Sequence, residues 1–342
     1  PIVHKFALGL NSSFGVEDLL FNMDVIATEV ENPAIINDIN VSKTGETDFT
    51  GRPYYNCSGG NARDSFTCFG PFDFQLTNSN QSPVGLTYSL SLSKLWREND
   101  LRFSIGYANT SLQDVTPMTS SVAYSNFTGV ATTDRNNPTV AQSNHVIPER
   151  ITATLRYQPV TIEGGYRFKA SLFINRFQSR SYSYTYDGEE HGQTPAFTDQ
   201  SLLYVPTNAA DPNVVFDGIS PAAFFAITDA AGCPRGQYCP RNSIDGAWNT
   251  SINLKLAQEF PGFAPDHVAE IYMVIKNLGN LINSKYGIFR EPGFPSMQKV
   301  ARLSEIDDEG RYVYDRLYSP RGSSISPYAS TYEVKFGFYY RF

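Results

Sequence analysis

Apolar and polar residues alternate one by one along much of this chain, in segments separated by polar stretches of two very different lengths. In residues 2–14, Phe6, Leu8, Leu10 and Phe14 share one face, with Lys5, Ala7, Gly9 and Asn11 on the other. Residues 19–34 repeat the pattern with Leu19, Phe21, Met23, Val25 and Ala27 against Asn22, Asp24 and Thr28. Val84, Leu86, Tyr88, Leu90 and Leu92 then alternate with Gly85, Thr87, Ser89, Ser91 and Ser93, and Leu101, Phe103, Ile105 and Tyr107 with Arg102, Ser104 and Gly106. A third pair sets Ile151, Ala153, Leu155 and Tyr157 against Thr152, Thr154 and Arg156, and continues with Tyr166, Phe168, Ala170, Leu172 and Ile174. The fourth pair is carried by Trp248, Ile252, Leu254 and Leu256, then by Ile271, Met273 and Ile275, with Asn253, Lys255, Tyr272 and Lys276 between them. In the last segment, 331–342, Tyr332, Val334, Phe336, Phe338, Tyr340 and Phe342 alternate with Glu333, Lys335, Gly337, Tyr339 and Arg341. A period of two puts successive side chains on opposite sides of a sheet, so the pattern predicts nine strands, each with one apolar face.

The connections sort by length. Short turns are expected at 15–18, 98–100, 163–165 and 261–266, and long loops at about 37–82, 112–148, 187–246 and 280–330. Connections in soluble domains have a median of about 4–6 residues at both ends. Outer-membrane barrels instead combine short turns on one side, long loops on the other and aromatic-rich lipid-facing strands. A soluble sandwich strand could show the same alternation, but the sorted loops and aromatic faces favour an all-β, transmembrane antiparallel β-barrel. Residues 312–314 and 287–290 are expected to extend its strands beyond the membrane. Nine is an odd number, and an open sheet edge is not tolerated in lipid. Both edges, near residues 2–14 and 331–342, are therefore expected to pair with strands supplied by an N-terminal polypeptide.

Composition narrows the choice. Of 342 residues, 18% are charged, below the roughly 25% of ordinary globular domains, while Tyr (21) and Phe (24) are abundant. The longest clean apolar runs, such as 271–275, fall far short of the ~20 residues a membrane helix needs. The net charge of -7, without basic runs, argues against nucleic acid as a partner. The sequence starts at Pro1 without an initiator Met or signal segment, which reads as a processed product or part of a longer chain. Four cysteines fall in two close pairs, Cys57 with Cys68 and Cys233 with Cys239, each in a polar stretch. Zinc would need further ligands nearby, so two loop-stapling disulfides formed in an oxidising compartment are expected.

Candidate chemistry follows from the polar faces and the loops. Lys5, Asp24 and Glu333, together with Arg102, Arg156, Arg167, Lys169, Lys255, Lys276, Lys335 and Arg341, lie opposite the apolar stripe. Burying such a charge in lipid costs roughly 2–4 kcal/mol near the midplane, so these residues are expected to face a water-filled lumen or a plug, and the eight cations are candidates to line a substrate path. Asp187 and Glu189 in the stretch 187–190, the triplet Asp307, Asp308 and Glu309, and Asp211 with Asp217 are weak calcium candidates, since calcium takes six to eight oxygens. No EF-hand spacing is present, and solvated loop charge is the favoured reading of these residues over a calcium site. His4, His145, His191 and His267 are scattered, and no nucleophile–base set, G-x-S-x-G or H-E-x-x-H appears, so no enzyme is expected. The run 221–231, PAAFFAITDAA, is apolar within a polar loop and should cover something: the pore mouth as a short helix, a neighbouring loop or a surface partner.

Residues 271–283 (IYMVIKNLGNLIN), followed by 284–287 and an aromatic strand ending in Phe342, resemble the closing section of TonB-dependent outer-membrane receptors. GRPYY at 51–55, TSSVAY at 119–124, SYSYTYDG at 181–188 and LLYVP at 202–206 resemble segments of the Oar-like branch of that family. The resemblance implies a 22-stranded barrel in the outer membrane of a Gram-negative bacterium, with these nine strands as strands 14 to 22. The plug, the TonB-contacting segment and strands 1 to 13 have no counterpart here, so contact with TonB would run through an N-terminal portion of the same receptor. It implies import, or in the Oar-like case export or display, of a large substrate. The alternative is a scaffold barrel whose loops anchor a surface protein or lipoprotein.

Overall fold

The computed structural model describes residues 1–13, 18–57, 73–188 and 200–342. The chain is mostly β, and nine strands pair antiparallel in chain order: β1 (Ile2–Ser13), β2 (Leu19–Glu31), β3 (Val84–Trp96), β4 (Leu101–Asp114), β5 (Glu149–Tyr157), β6 (Tyr166–Gln178), β7 (Trp248–Pro261), β8 (Val268–Lys276) and β9 (Glu333–Arg341). Two short strands, Ala141–Gln142 and Val160–Ile162, add to β4 and β6. β1 and β9 are the two edges, and no pairing joins them among the described residues.

Register carries the alternation from strand to strand. Leu8 lies opposite Val25, and Val25 opposite Tyr88. Further along, Phe103 pairs with Leu155, Leu155 with Leu172, Leu172 with Leu254, Leu254 with Ile275 and Ile275 with Val334. A slip of one residue at any seam would turn a whole apolar set to the other side. The result is one continuous apolar face and one polar face. The apolar face is open: Phe6 is 72% exposed, Leu8 74%, Phe336 76% and Phe338 63%.

The short connections share one end of the sheet. Residues 97–100 form a 3-10 turn closed by Asp100 at φ 46°, residues 158–165 turn through Gly164 and Gly165 at φ 94° and 89°, and residues 262–267 turn at Asp266 with φ 67°. Residues 14–17 lie outside the described residues. Arg97 donates to both oxygens of Asp18, at 2.6 and 2.5 Å, tying the second turn to the first. That guanidinium holds the Asp18 carboxyl below the usual carboxylate range.

At the other end, the long connections fold into a layer with its own core. A five-stranded sheet runs in the order Ser201–Leu202, Ser183–Asp187, Met297–Ile306, Tyr312–Leu317, Val214–Phe216, with strands drawn from two different loops. Residues 312–314 belong here and do not extend the main sheet, because Tyr312–Leu317 pairs in parallel with Val214–Phe216 and antiparallel with Met297–Ile306. Residues 287–290 likewise lead away from it, to the two-residue strand Arg290–Glu291 paired with Ser324–Ile325. Tyr186, Leu203, Phe224, Val300, Leu303, Tyr312 and Tyr314 are the fully buried centre of this layer. The run PAAFFAITDAA forms the helix Pro221–Ala230, capped by Ser220, whose hydroxyl accepts from Ala223 N at 3.3 Å. It covers a neighbouring loop: Phe224 stacks on Tyr314 with centroids 5.7 Å apart. Cys233 and Cys239 are joined by a disulfide just after the helix.

Candidate binding surfaces on the polar face and in the loop layer

The polar face gathers most of the cations singled out by the alternation into one band. Arg102 lies directly opposite Arg156. The same row continues through Ser171 and Lys255 to Val274 and Lys335, so four cations of four strands share one line across the sheet with no acid in it. Lys255 and Lys335 are compensated from other rows, by Glu270 at 3.7 Å and Glu333 at 3.0 Å. Arg102 and Arg156 make no ion pair among the described residues. Like charges directly opposite each other oppose pairing. Toward the short turns, Lys169 is bound by Glu259 at 2.5 Å and Glu270 at 2.8 Å, and Arg167 by Asp100 at 2.9 Å and the Gln158 carbonyl at 2.7 Å. Lys276 pairs with Glu333 at 3.0 Å, and Arg341 sits opposite Val268 at the same edge as the turns. These four are held in pairs or at the rim, whereas Arg102 and Arg156 lie opposite each other without an ion pair among the described residues and put like charge in one place on this face.

A second surface lies in the loop layer and was not legible from motifs. The hairpin Val41–Thr47 to Pro53–Cys57 is closed by Asp48, whose carboxylate accepts from the backbone N–H of Thr50 at 2.8 Å and of Arg52 at 3.0 Å, with Gly51 at φ 85°. Its tip drives Phe49 between Tyr204 and Tyr312, at centroid distances of 5.1 and 4.8 Å. Arg52, buried, donates to Ser201 Oγ at 3.1 Å and to the Tyr186 phenol, and the Tyr312 phenol donates to Asp48. Beside this anchor opens a cleft of about 510 Å³ lined by Lys43, Thr50, Arg52, Asp134, Asn137 and Tyr238. Lys43 sits 2.9 Å from Asp134, which also accepts from the Tyr55 phenol at 2.6 Å. Burial and then the Asp134 carboxylate push the Tyr55 phenol well above the usual range, and burial pushes Tyr238 up to about 12. Donors and acceptors of both signs line this cleft, and it suits a polar ligand held by hydrogen bonds. The only advance signal was the turn chemistry of Asp48–Gly51, since the partners come from loops far apart in sequence.

The remaining candidates divide. Asp307 caps its own turn, accepting from Glu309 N at 3.1 Å and Arg311 N at 2.8 Å, and pairs with Arg311 at 2.7 Å, while Glu309 reaches Arg311 at 3.2 Å. Asp308 lies in the same turn. Asp187 is held by Lys299 at 3.0 Å and by the Tyr318 phenol, at 2.5 Å. Asp211 is occupied by Thr207 and Asn213. Glu189, His191 and Cys68 lie outside the described residues, and with Cys68 so does the expected Cys57–Cys68 bond. Among the described residues no three His, Cys, Asp or Glu side chains cluster as a metal site would require. Among the described residues no helix is long and apolar enough to cross a membrane. No family model, curated protein or solved structure matches the chain.

Proposed function

We propose that this chain forms the C-terminal wall and the last four extracellular loops of a TonB-dependent outer-membrane receptor, strands 14 to 22 of a 22-stranded barrel. One observation supports this reading above the others: a nine-stranded sheet whose in-register apolar face is open, with short turns at one end and folded loops at the other. In water such a face would be an aggregation surface, whereas against lipid it is the low-energy side. The two edge strands carry unpaired backbone groups that cost several kcal/mol each in hydrocarbon, so strands from an N-terminal portion pair with β1 and β9. That portion also supplies the plug and the contact with TonB. On the polar face, the row from Arg102 to Lys335 draws anionic groups toward the lumen. The cleft beside Lys43 and Tyr238 is the first contact for a polar substrate.

The two tryptophans make the reading testable. Both lie on the apolar face, Trp96 beside a short turn and Trp248 where β7 meets the loops. The hydrogen-bonded row from Trp96 passes Leu101, Tyr157 and Ala170 to Leu256, so the two indoles are about 26 Å apart along the strands at the usual rise per residue. Barrels place aromatic girdles at both membrane interfaces, and one tryptophan lies toward each end of the apolar face. Lipids brominated near the headgroup are expected to quench both residues in the reconstituted receptor. Quenching of neither would overturn the membrane assignment.

A scaffold barrel remains the second reading, favoured by the loop layer's own buried core, which provides a preformed surface for a lipoprotein. Substrate uptake that requires the proton motive force distinguishes a transporter from a scaffold.

A further inference from the structure

After β8, Asn277 takes φ 52° and starts the short helix Leu278–Ile282, and the chain then doubles back through residues 283–288. This turn overhangs the apolar face at the loop end of β7 and leaves a groove of about 470 Å³ between Trp248, Ile252, Ile282, Tyr286 and Ile288, with Lys285 also on its lining. The groove is predominantly apolar, and it is continuous with the apolar face through Ile252 and its partner Ile174. Its floor is rigid. The Asn277 amide donates to the carbonyls of Gly287 at 2.8 Å and Ser330 at 3.2 Å, and Asn249 on the same strand as Trp248 both donates to and accepts from the Arg290 backbone, at 3.0 and 2.7 Å.

Two cations flank this groove and have no ion-pair partner among the described residues. Lys285 is exposed, and the exposed Arg176 guanidinium stacks over the Trp248 ring at 5.1 Å. An apolar groove that opens onto a lipid-facing surface and ends in two unpaired cations has the polarity of an amphiphile whose anionic head lies at the loop end and whose chain runs down the sheet. We infer that the groove is a binding site for a membrane lipid with a phosphorylated headgroup, whose acyl chain packs on Trp248, Ile252 and Ile282 while its phosphate meets Lys285 and Arg176. What distinguishes this groove on the apolar face is that walls and flanking cations occur together, Lys285 on its lining and Arg176 stacked on Trp248, and the inference rests on the membrane reading above.

Trp248 reports on the site directly, and Trp96 at the opposite end serves as the control. The complete receptor, with every tryptophan except Trp248 replaced by Phe (Trp96→Phe among them), is reconstituted in phosphatidylcholine bilayers that contain a small fraction of brominated-chain phosphatidic acid or, in a parallel sample, brominated-chain phosphatidylcholine. Trp248 is expected to prefer phosphatidic acid by at least about fivefold, the scale of one cation acting on an anionic lipid. Lys285→Glu with Arg176→Gln should reduce the preference to parity without changing the electrophoretic mobility of the folded protein. Millimolar inorganic phosphate should leave the quenching unchanged. Equal quenching by the two lipids, a preference that survives in the double variant, or loss of quenching to free phosphate would each overturn the site. In a receptor whose only tryptophan is Trp96, it should be quenched by both lipids alike. If Trp96 is quenched and Trp248 shows no preference, the groove fails while the membrane reading stands, and if neither is quenched both fail.

Discussion

The ring of Tyr272 lies across Gly337, its direct partner on the neighbouring edge strand, so closely that a Cβ built on Gly337 would collide with the ring's Cζ and hydroxyl. The other side of the same ring receives Lys255, whose ammonium is 5.2 Å from the centroid. Gly337 thus leaves space on the polar face for an aromatic side chain that covers the exposed backbone of β9 and marks its register against β8. Gly337→Ala is expected to displace the ring and destabilise the β8–β9 pairing by about 1–3 kcal/mol, the scale of overpacking in a filled site. Tyr272→Ala combined with Gly337→Ala should recover most of that loss, as denaturant titration of the detergent-solubilised protein would show. Equal stability of the double and the single Gly337→Ala variant would refute the assignment.

Asn277 does two things at once, and two substitutions separate them. It occupies φ 52°, and its amide reaches three backbone carbonyls, of Gly287, Ser330 and, at 3.4 Å, Ala329. Asn277→Gly keeps the backbone conformation but loses the bonds, whereas Asn277→Ala loses both. Hydrogen exchange across residues 277–290 and 326–331 should therefore rise in both variants and more in Asn277→Ala, with about 1–2 kcal/mol attributable to the bonds. Unchanged protection in Asn277→Gly would show that only the backbone matters.

The loop layer is expected to be sensitive to alkali. Burial pushes Tyr184 and Tyr238 up to about 12 and carries Tyr55 and Tyr312 well above their ordinary value. For a group whose folded pKa is raised, the stabilisation is complete below the unfolded value near 10 and is lost as pH rises through the folded one. Tyrosinate absorbance should accordingly appear in two stages, exposed phenols near pH 10 and the buried set in a cooperative step nearer pH 12 that coincides with loss of near-ultraviolet circular dichroism. A single stage near pH 10 for all tyrosines would contradict the buried cage.

Cys233 and Cys239 close a loop of sequence separation 6 immediately after the helix Pro221–Ala230. Chain entropy assigns such a small loop about 2 kcal/mol. Reduction should raise exchange in residues 221–245 and leave the nine-stranded sheet unaffected, because Val205 and Leu203 bond the segment 236–239 to the loop layer and not to the sheet. Peptide mapping without reductant should recover Cys233 linked to Cys239.

Alternation by itself determined the nine strands, their apolar faces and the division into short and long connections, because a strand with one open face has to repeat its chemistry every second residue. It also determined which cations share a face. The sequence could not reveal that Arg102 meets Arg156 or that Lys169 is shared by Glu259 and Glu270, since these depend on register between strands tens of residues apart. The loops were the least legible part. Tyr312–Leu317 is as strand-like in composition as the sheet strands, yet its hydrogen bonds go to Val214–Phe216 and Met297–Ile306, and no local signal distinguishes those partners from the strands of the main sheet. Asp48, Phe49 and Arg52 fell within a long loop of the sequence, and only the packing of three loops turned them into an anchor beside a cleft. Local propensity decides what each segment can be. Long-range pairing, which has to repay the entropy of closing loops of this length, decides what each segment touches.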